Sequence, residues 1–456
     1  MCNGTILDKL ISFSLPLMLS GILQLLFNAV DIIVVGRFTG SQALAAVGST
    51  TALINVFTNL FIGISLGANV MAARFYASGQ EKEMSETVHT AITFALFSGI
   101  AMVFVGLFFS KAALELMDTP ADVIGQSVLY MRIYFAGMPF FMLYNYGAAI
   151  LRAVGDTKRP LLFLIISGVL NALLNLFLVI VFHLGVAGVA IATVIAQMVS
   201  CILVLQCLSG SEGSYRLRLS GLMLKWPYLK QIFGIGVPAG IQSMVINVSN
   251  ALLQSSVNSF GSVAMAGYTA ANNVFGFLYV SVNSITQACM SFTSQNYGAG
   301  KWKRMGKVLC CCMGLSVAVS AIMGCGAYIF GSELLEIYTS DEAVIQCGTE
   351  IFLYTTVTYF MCGLMDLFPG ALRGMGYSVI PMILSVIGTV GTRIIWIFVV
   401  FPMHRSLDIL FISYPVSWLA TIVLQVVCYY FVRKSVKRKL CTARRNRSDR
   451  FARLLH

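Results

Sequence analysis

The chain has 456 residues, of which 58% are hydrophobic and only 11% charged, and its formal net charge is +12. An ordinary soluble domain carries about 25% charged residues, so a soluble fold of this length could not hide so much apolar surface. A bilayer accepts it, and since the short alternating segments of a membrane barrel are absent, the chain reads as an all-α polytopic membrane protein.

Apolar stretches of roughly twenty residues, each able to cross about 30 Å of hydrocarbon as a helix, recur throughout. In chain order they cover 10–35, 43–72, 88–110, 124–150, 160–182 and 186–208. After a basic connector at 209–230 they resume at 231–258, 263–292, 306–330, 345–372, 380–402 and 408–432. The expectation is twelve transmembrane helices in two six-helix lobes, 1–208 and 231–432, around a central cavity, followed by a basic tail at 433–456.

With the N-terminus inside, 25 of the Lys and Arg residues fall on the cytoplasmic side, ten of them in the tail. Three, Arg37, Lys111 and Arg405, fall on the opposite side, and Arg132 and Arg393 lie within spans. This asymmetry follows the positive-inside rule and places both termini in the cytoplasm, in a plasma (inner) membrane. The tail suits anionic inner-leaflet lipid better than nucleic acid. Twelve cysteines without a CxxC pair and four scattered histidines give no metal or redox centre. No His, Ser or Cys constellation suggests an enzyme, and no phosphate loop is present: Gly298-Ala299-Gly300-Lys301 is followed by Trp302 rather than Ser or Thr. A transporter of this composition needs no cofactor beyond a coupling ion, H+ or Na+.

The second half repeats the first. At an offset of 221, Tyr76 and Gly79 meet Tyr297 and Gly300, and Leu151, Arg152, Gly155 and Pro160 meet Leu372, Arg373, Gly376 and Pro381. Pro16 meets Pro238 at 222. Parallel repeats flanking a cavity are a recurring transporter design.

Ionisable residues inside spans cost several kcal/mol and are functional candidates; here they are Asp31, Arg132, Asp366 and Arg393. Gln24, Asn28 and Asp31, spaced four and three apart, share one helical face. A polar stripe ending in a carboxylate suits reversible proton or sodium binding, since an apolar surround favours the neutral form. Asn171 and Asn175, four apart in the fifth span, can hold a cation or orient Asp31. The seventh span repeats the stripe without charge, as Asn247, Asn250 and Gln254, with Leu253 where Asp31 would stand. Asp366 offers a second cation or substrate site, and Arg393, near mid-membrane, calls for a carboxylate partner, with Asp366 the expected one. Gly63 and Gly67 form a GxxxG close-packing pattern.

Val30–Gly48 (VDIIVVGRFTGSQALAAVG), AILRAVGDTKRP from Ala149 and GALRGMG from Gly370 together resemble the multidrug and toxic compound extrusion (MATE) family, over about residues 8–432. The resemblance implies a cation-coupled exporter of small amphipathic or cationic organic compounds, working as a monomer by rocking of two lobes. Asp31 then occupies the position of the family's first-helix aspartate, implicated in coupling. Two branches carry further carboxylates, but Asn175 replaces the one expected in the fifth span, and Ile246 or Asn247 the one in the seventh. The tenth-span aspartate of the sodium-coupled branch falls near Cys362, one turn before Asp366, and the shortage of carboxylates favours protons. The alternative is a flippase of lipid-linked precursors or polysaccharides in the same superfamily. It would want more cavity cations than Arg132 and Arg393.

Overall fold

A computed structural model describes residues 1–117 and 119–454, with only the backbone for 41 and 438–454. The expected lipid contacts of the basic tail beyond Lys437 therefore lie outside the described side chains. Seven helices precede the connector: α1 (Leu7–Phe38), α2 (Ser41–Ser78), α3 (Glu81–Leu116), α4 (Ile124–Ala136), α5 (Met138–Val154), α6 (Lys158–Val181) and α7 (Gly185–Ser209). Eight follow it: α8 (Trp226–Asn258), α9 (Ser262–Gly298), α10 (Trp302–Ile329), α11 (Gly331–Glu336), α12 (Glu342–Thr356), α13 (Tyr359–Gly374), α14 (Val379–Met403) and α15 (Leu407–Leu454).

Among the described residues nine helices are each long and apolar enough to span a bilayer, and α12 with α13, bent by 48°, makes a tenth. The other two expected spans depart from a plain apolar rod for visible reasons. The fourth is broken into α4 and α5, because Pro139 opens α5 without an N–H to continue the turn. At the break Gly137 fits close to Val194, whose Cγ2 would lie 2.7 Å from an added Cβ. The eighth, α9, is rich in hydroxyl and amide groups, and Ser281, Ser284, Thr293, Gln295 and Asn296 turn inward, away from lipid.

The chain forms two compact units, Asp8–Met244 and Met1–Leu7 together with Val245 onward. The division falls inside α8. In the first unit α5 packs on α2, α3 and α7, burying Met142, Tyr146, Ile150 and Leu151 completely or nearly so. Gly63 and Gly67 on α2 meet Gly236 and Gly240 on the first half of α8, two small-residue faces in backbone contact. A Cβ on Gly240 would lie 2.9 Å from the Leu60 carbonyl oxygen, so no side chain can enter there.

The start of α3 clasps the connector. Lys225 pairs with Glu86, its N–H donates to Thr90 Oγ1 at 3.3 Å, and the Arg218 N–H donates to His89 Nε2 at 3.1 Å. His89 Nδ1 bonds the Ser85 carbonyl at 2.7 Å, which sets the tautomer. Since the Lys225 side chain is 41% exposed, Lys225→Ala should cost under about 1 kcal/mol. A melting curve in detergent checks this small expected shift.

In the second unit Tyr268, Phe352, Tyr359, Phe411 and Trp418 form the aromatic part of the core, drawn from α9, α12, α13 and α15. Residues ahead of α1 dock here. Lys301 Nζ donates to the Cys2 carbonyl at 3.1 Å and Asn3 Oδ1 at 2.6 Å, and Arg304 donates to the Gly4 carbonyl at 2.8 Å.

Candidate functional site

In the first unit the site forms where α1 meets α6. Gly168 offers no side chain, so the Phe27 ring lies directly on it. One helical turn beyond Phe27 stands Asp31, and two turns beyond Gly168 stands Asn175. There Asn175 Nδ2 donates to the Asp31 carboxylate. The same amide donates to Asn171 Oδ1 at 3.1 Å, and Asn171 donates to Thr193 Oγ1 of α7 at 3.3 Å. Asn175 is 0% exposed and Asn171 6%, while Asp31 is half-buried.

Among the described residues no Lys or Arg pairs with Asp31. Asn175 Oδ1, by contrast, is buried with no donor. An orphaned acceptor is costly in a low-dielectric interior, and this one belongs to the amide that bonds the Asp31 carboxylate. Immediately past Asn175, α6 widens into a π-helical turn at Phe177–Val181, a distortion that frequently marks functional positions.

The sequence brought Asp31, Asn171 and Asn175 together correctly as neighbours. Gln24 and Asn28, on the same helix, are exposed and bond to none of the three among the described residues. Three contributors were not foreseen. Thr193 ends the hydrogen-bond chain, and Tyr130 and Tyr134 of α4 lie within the electrostatic reach of Asp31. Hydroxyls and phenols are common in spans, so no periodicity signals them.

The second unit differs from expectation at Arg393. Its partner is not Asp366. Arg393 NH1 donates to Asn250 Oδ1 at 2.7 Å, Nε donates to Ser417 Oγ at 3.2 Å, and the guanidinium stands 4.6 Å from the centre of the Tyr414 ring. Asp366 instead feels the charge of Arg373, two turns further along α13. Gln254 bonds Asn258 at 2.9 Å and stays out of the cluster. At the Pro16/Pro238 offset of 222, Asn250 answers Asn28 and Arg393 answers Asn171, although Asn28 and Asn171 do not bond each other among the described residues. A guanidinium on α14 thus stands where the first unit has the neutral Asn171, and Leu253 stands where it has Asp31.

The MatE family model matches twice, at residues 16–177 and 238–399, the same 222-residue spacing. A probable multidrug resistance protein, YoeA of Bacillus subtilis, is 28% identical over 92% of this chain and 93% of its own length. The multidrug export protein MepA of Staphylococcus aureus is 21% identical, over 82% and 83%. In fold, the chain superimposes on a multidrug resistance MATE family transporter of the MOP superfamily solved in an outward-facing conformation. The TM-score is 0.88 at 18% identity, covering 95% of this chain and 97% of that one. A doubled match over most of the length, on a fold shared with solved transporters, makes this multi-pass membrane protein a member of the MatE family.

Proposed function

We propose that the chain is a secondary active exporter of small amphipathic or cationic organic compounds, driven by exchange for a cation at Asp31, with H+ favoured over Na+. The observation that carries the reading is the unpaired Asp31 carboxylate held by Asn175 beside the donorless Asn175 Oδ1. The names of the relatives, multidrug resistance and multidrug export proteins, support the substrate class. One carboxylate among neutral amides supplies a single negative charge. A proton needs no more than that, whereas a dehydrated sodium ion needs several oxygen ligands. The Lys/Arg asymmetry supports a plasma-membrane orientation with both termini cytoplasmic, and alternating access comes from rocking of the two lobes of a monomer.

The test is ethidium transport in proteoliposomes under independently imposed pH and sodium gradients. A pH gradient should drive transport whether or not sodium is present. Transport driven by sodium alone would overturn the proton assignment, and transport driven by neither would overturn the exporter reading.

A further inference from the structure

Arg393 is 3% exposed and lies in a membrane span, where an uncompensated charge is expensive. A guanidinium has five N–H donors. Two of them are placed, on Asn250 and Ser417, and no carboxylate pairs with Arg393 among the described residues. All the groups that hold it, Asn250, Ser417 and the Tyr414 ring, are neutral. Asn250, which accepts from it, is exposed. Around it stand aromatic faces: Tyr414 pairs with Trp418 at 5.6 Å between ring centres, and Trp418 with Tyr359 at 5.8 Å. Helix α14 widens into π-helical turns on either side of Arg393, at Val386–Gly391 and Trp396–Val400.

A planar fork with spare donors and no internal counter-ion matches a carboxylate or phosphonate bidentately. We propose that Arg393, bonded to Asn250, receives the anionic group of the transported compound, so that the substrates include aromatic amphiphiles bearing a carboxylate. The inference rests on the exporter reading and adds to it a charge class opposite to the cationic one. The second unit then recognises substrate charge with the position that the first unit gives to its coupling amides.

Two dyes that differ by one methyl ester isolate the carboxylate: rhodamine 110, the free acid, and rhodamine 123, its ester. Fluorescence polarisation with the full-length protein in detergent should show the acid binding more tightly. With the charged partner of the carboxylate removed, the acid-to-ester preference in Arg393→Gln should fall by about tenfold or more. Asn250→Asp keeps the arginine but supplies an internal carboxylate, and should cancel the preference in the same way. Lys225→Ala, in the connector, should retain it. A preference that survives Arg393→Gln, or both dyes weakening equally, would overturn the proposal, as would wild-type protein that binds the two alike. Neither dye binding the wild type would overturn the proposal as well. The exporter reading stands or falls separately, on gradient-driven ethidium transport.

Discussion

Asp31→Asn abolishes gradient-driven efflux while the protein still accumulates and still binds its substrates. The substitution is nearly isosteric, and an amide at 31 still accepts the hydrogen bond that Asn175 donates, so the junction of α1 with α6 survives. What disappears is the only ionisable group of the cluster formed with Asn171, Asn175 and Thr193. Without it the cation has no charge to neutralise, and the initial rate under a pH gradient should drop by at least about tenfold, equivalent to 1.4 kcal/mol. Proteoliposomes loaded with ethidium give the rate, and size-exclusion profiles show that the variant folds. Asn175→Ala should follow at a smaller scale. It removes the donor to Asp31 and strands Asn171, a loss of about 1–3 kcal/mol. Wild-type coupling in Asp31→Asn would end the assignment of this residue.

Gly240→Leu prevents folding, or lowers the melting temperature by about 10 °C. Overpacked side chains usually cost about 1–3 kcal/mol because neighbours can shift. Here the neighbours are backbone: the Leu60 carbonyl oxygen at 2.9 Å and Leu60 Cα at 3.0 Å from a Cβ. Neither can rotate aside, so α2 and α8 must separate, and the loss should exceed about 3 kcal/mol, several degrees for each kcal/mol in a unit this size. Gly67→Leu should behave alike, with Gly236 N 3.0 Å from its Cβ. Gly234 lies on the same helix but has nothing within 4 Å, and Gly234→Leu should leave the melting curve in detergent within a degree or two. Equal melting of the two α8 variants would show that the close approach contributes nothing.

The spans and the repeat could be read from the residues because lipid imposes one strong rule, a run of apolar residues of fixed length. The break at Pro139 and the inward polar face of α9 were harder, since each depends on what the helix packs against. Asp31, Asn171 and Asn175 stood out because polar side chains are conspicuous in an apolar run. Gln24 and Asn28 lie on the same stripe as Asp31 but are exposed, while Asp31 is half-buried. Arg393 shows the limit most clearly. Charge balance pointed to Asp366, the available acid, whereas the fold gives the guanidinium only an amide from α8 and a hydroxyl and a ring from α15.

The two units are not consecutive pieces of chain. Residues 1–7 belong with the unit that begins at Val245, and the first half of α8 belongs with the unit that precedes it. During synthesis Asn3 leaves the ribosome almost 300 residues before Lys301, to which it bonds. The first unit likewise waits for Gly236 and Gly240 before α2 finds its packing surface. Insertion of helices can proceed in order, but completion cannot. A gene split in the connector would give a first product without the α8 half that closes it and a second without the segment that Arg304 and Lys301 hold. Co-expressed halves would have to exchange these parts, and each alone would present unfinished surfaces to quality control.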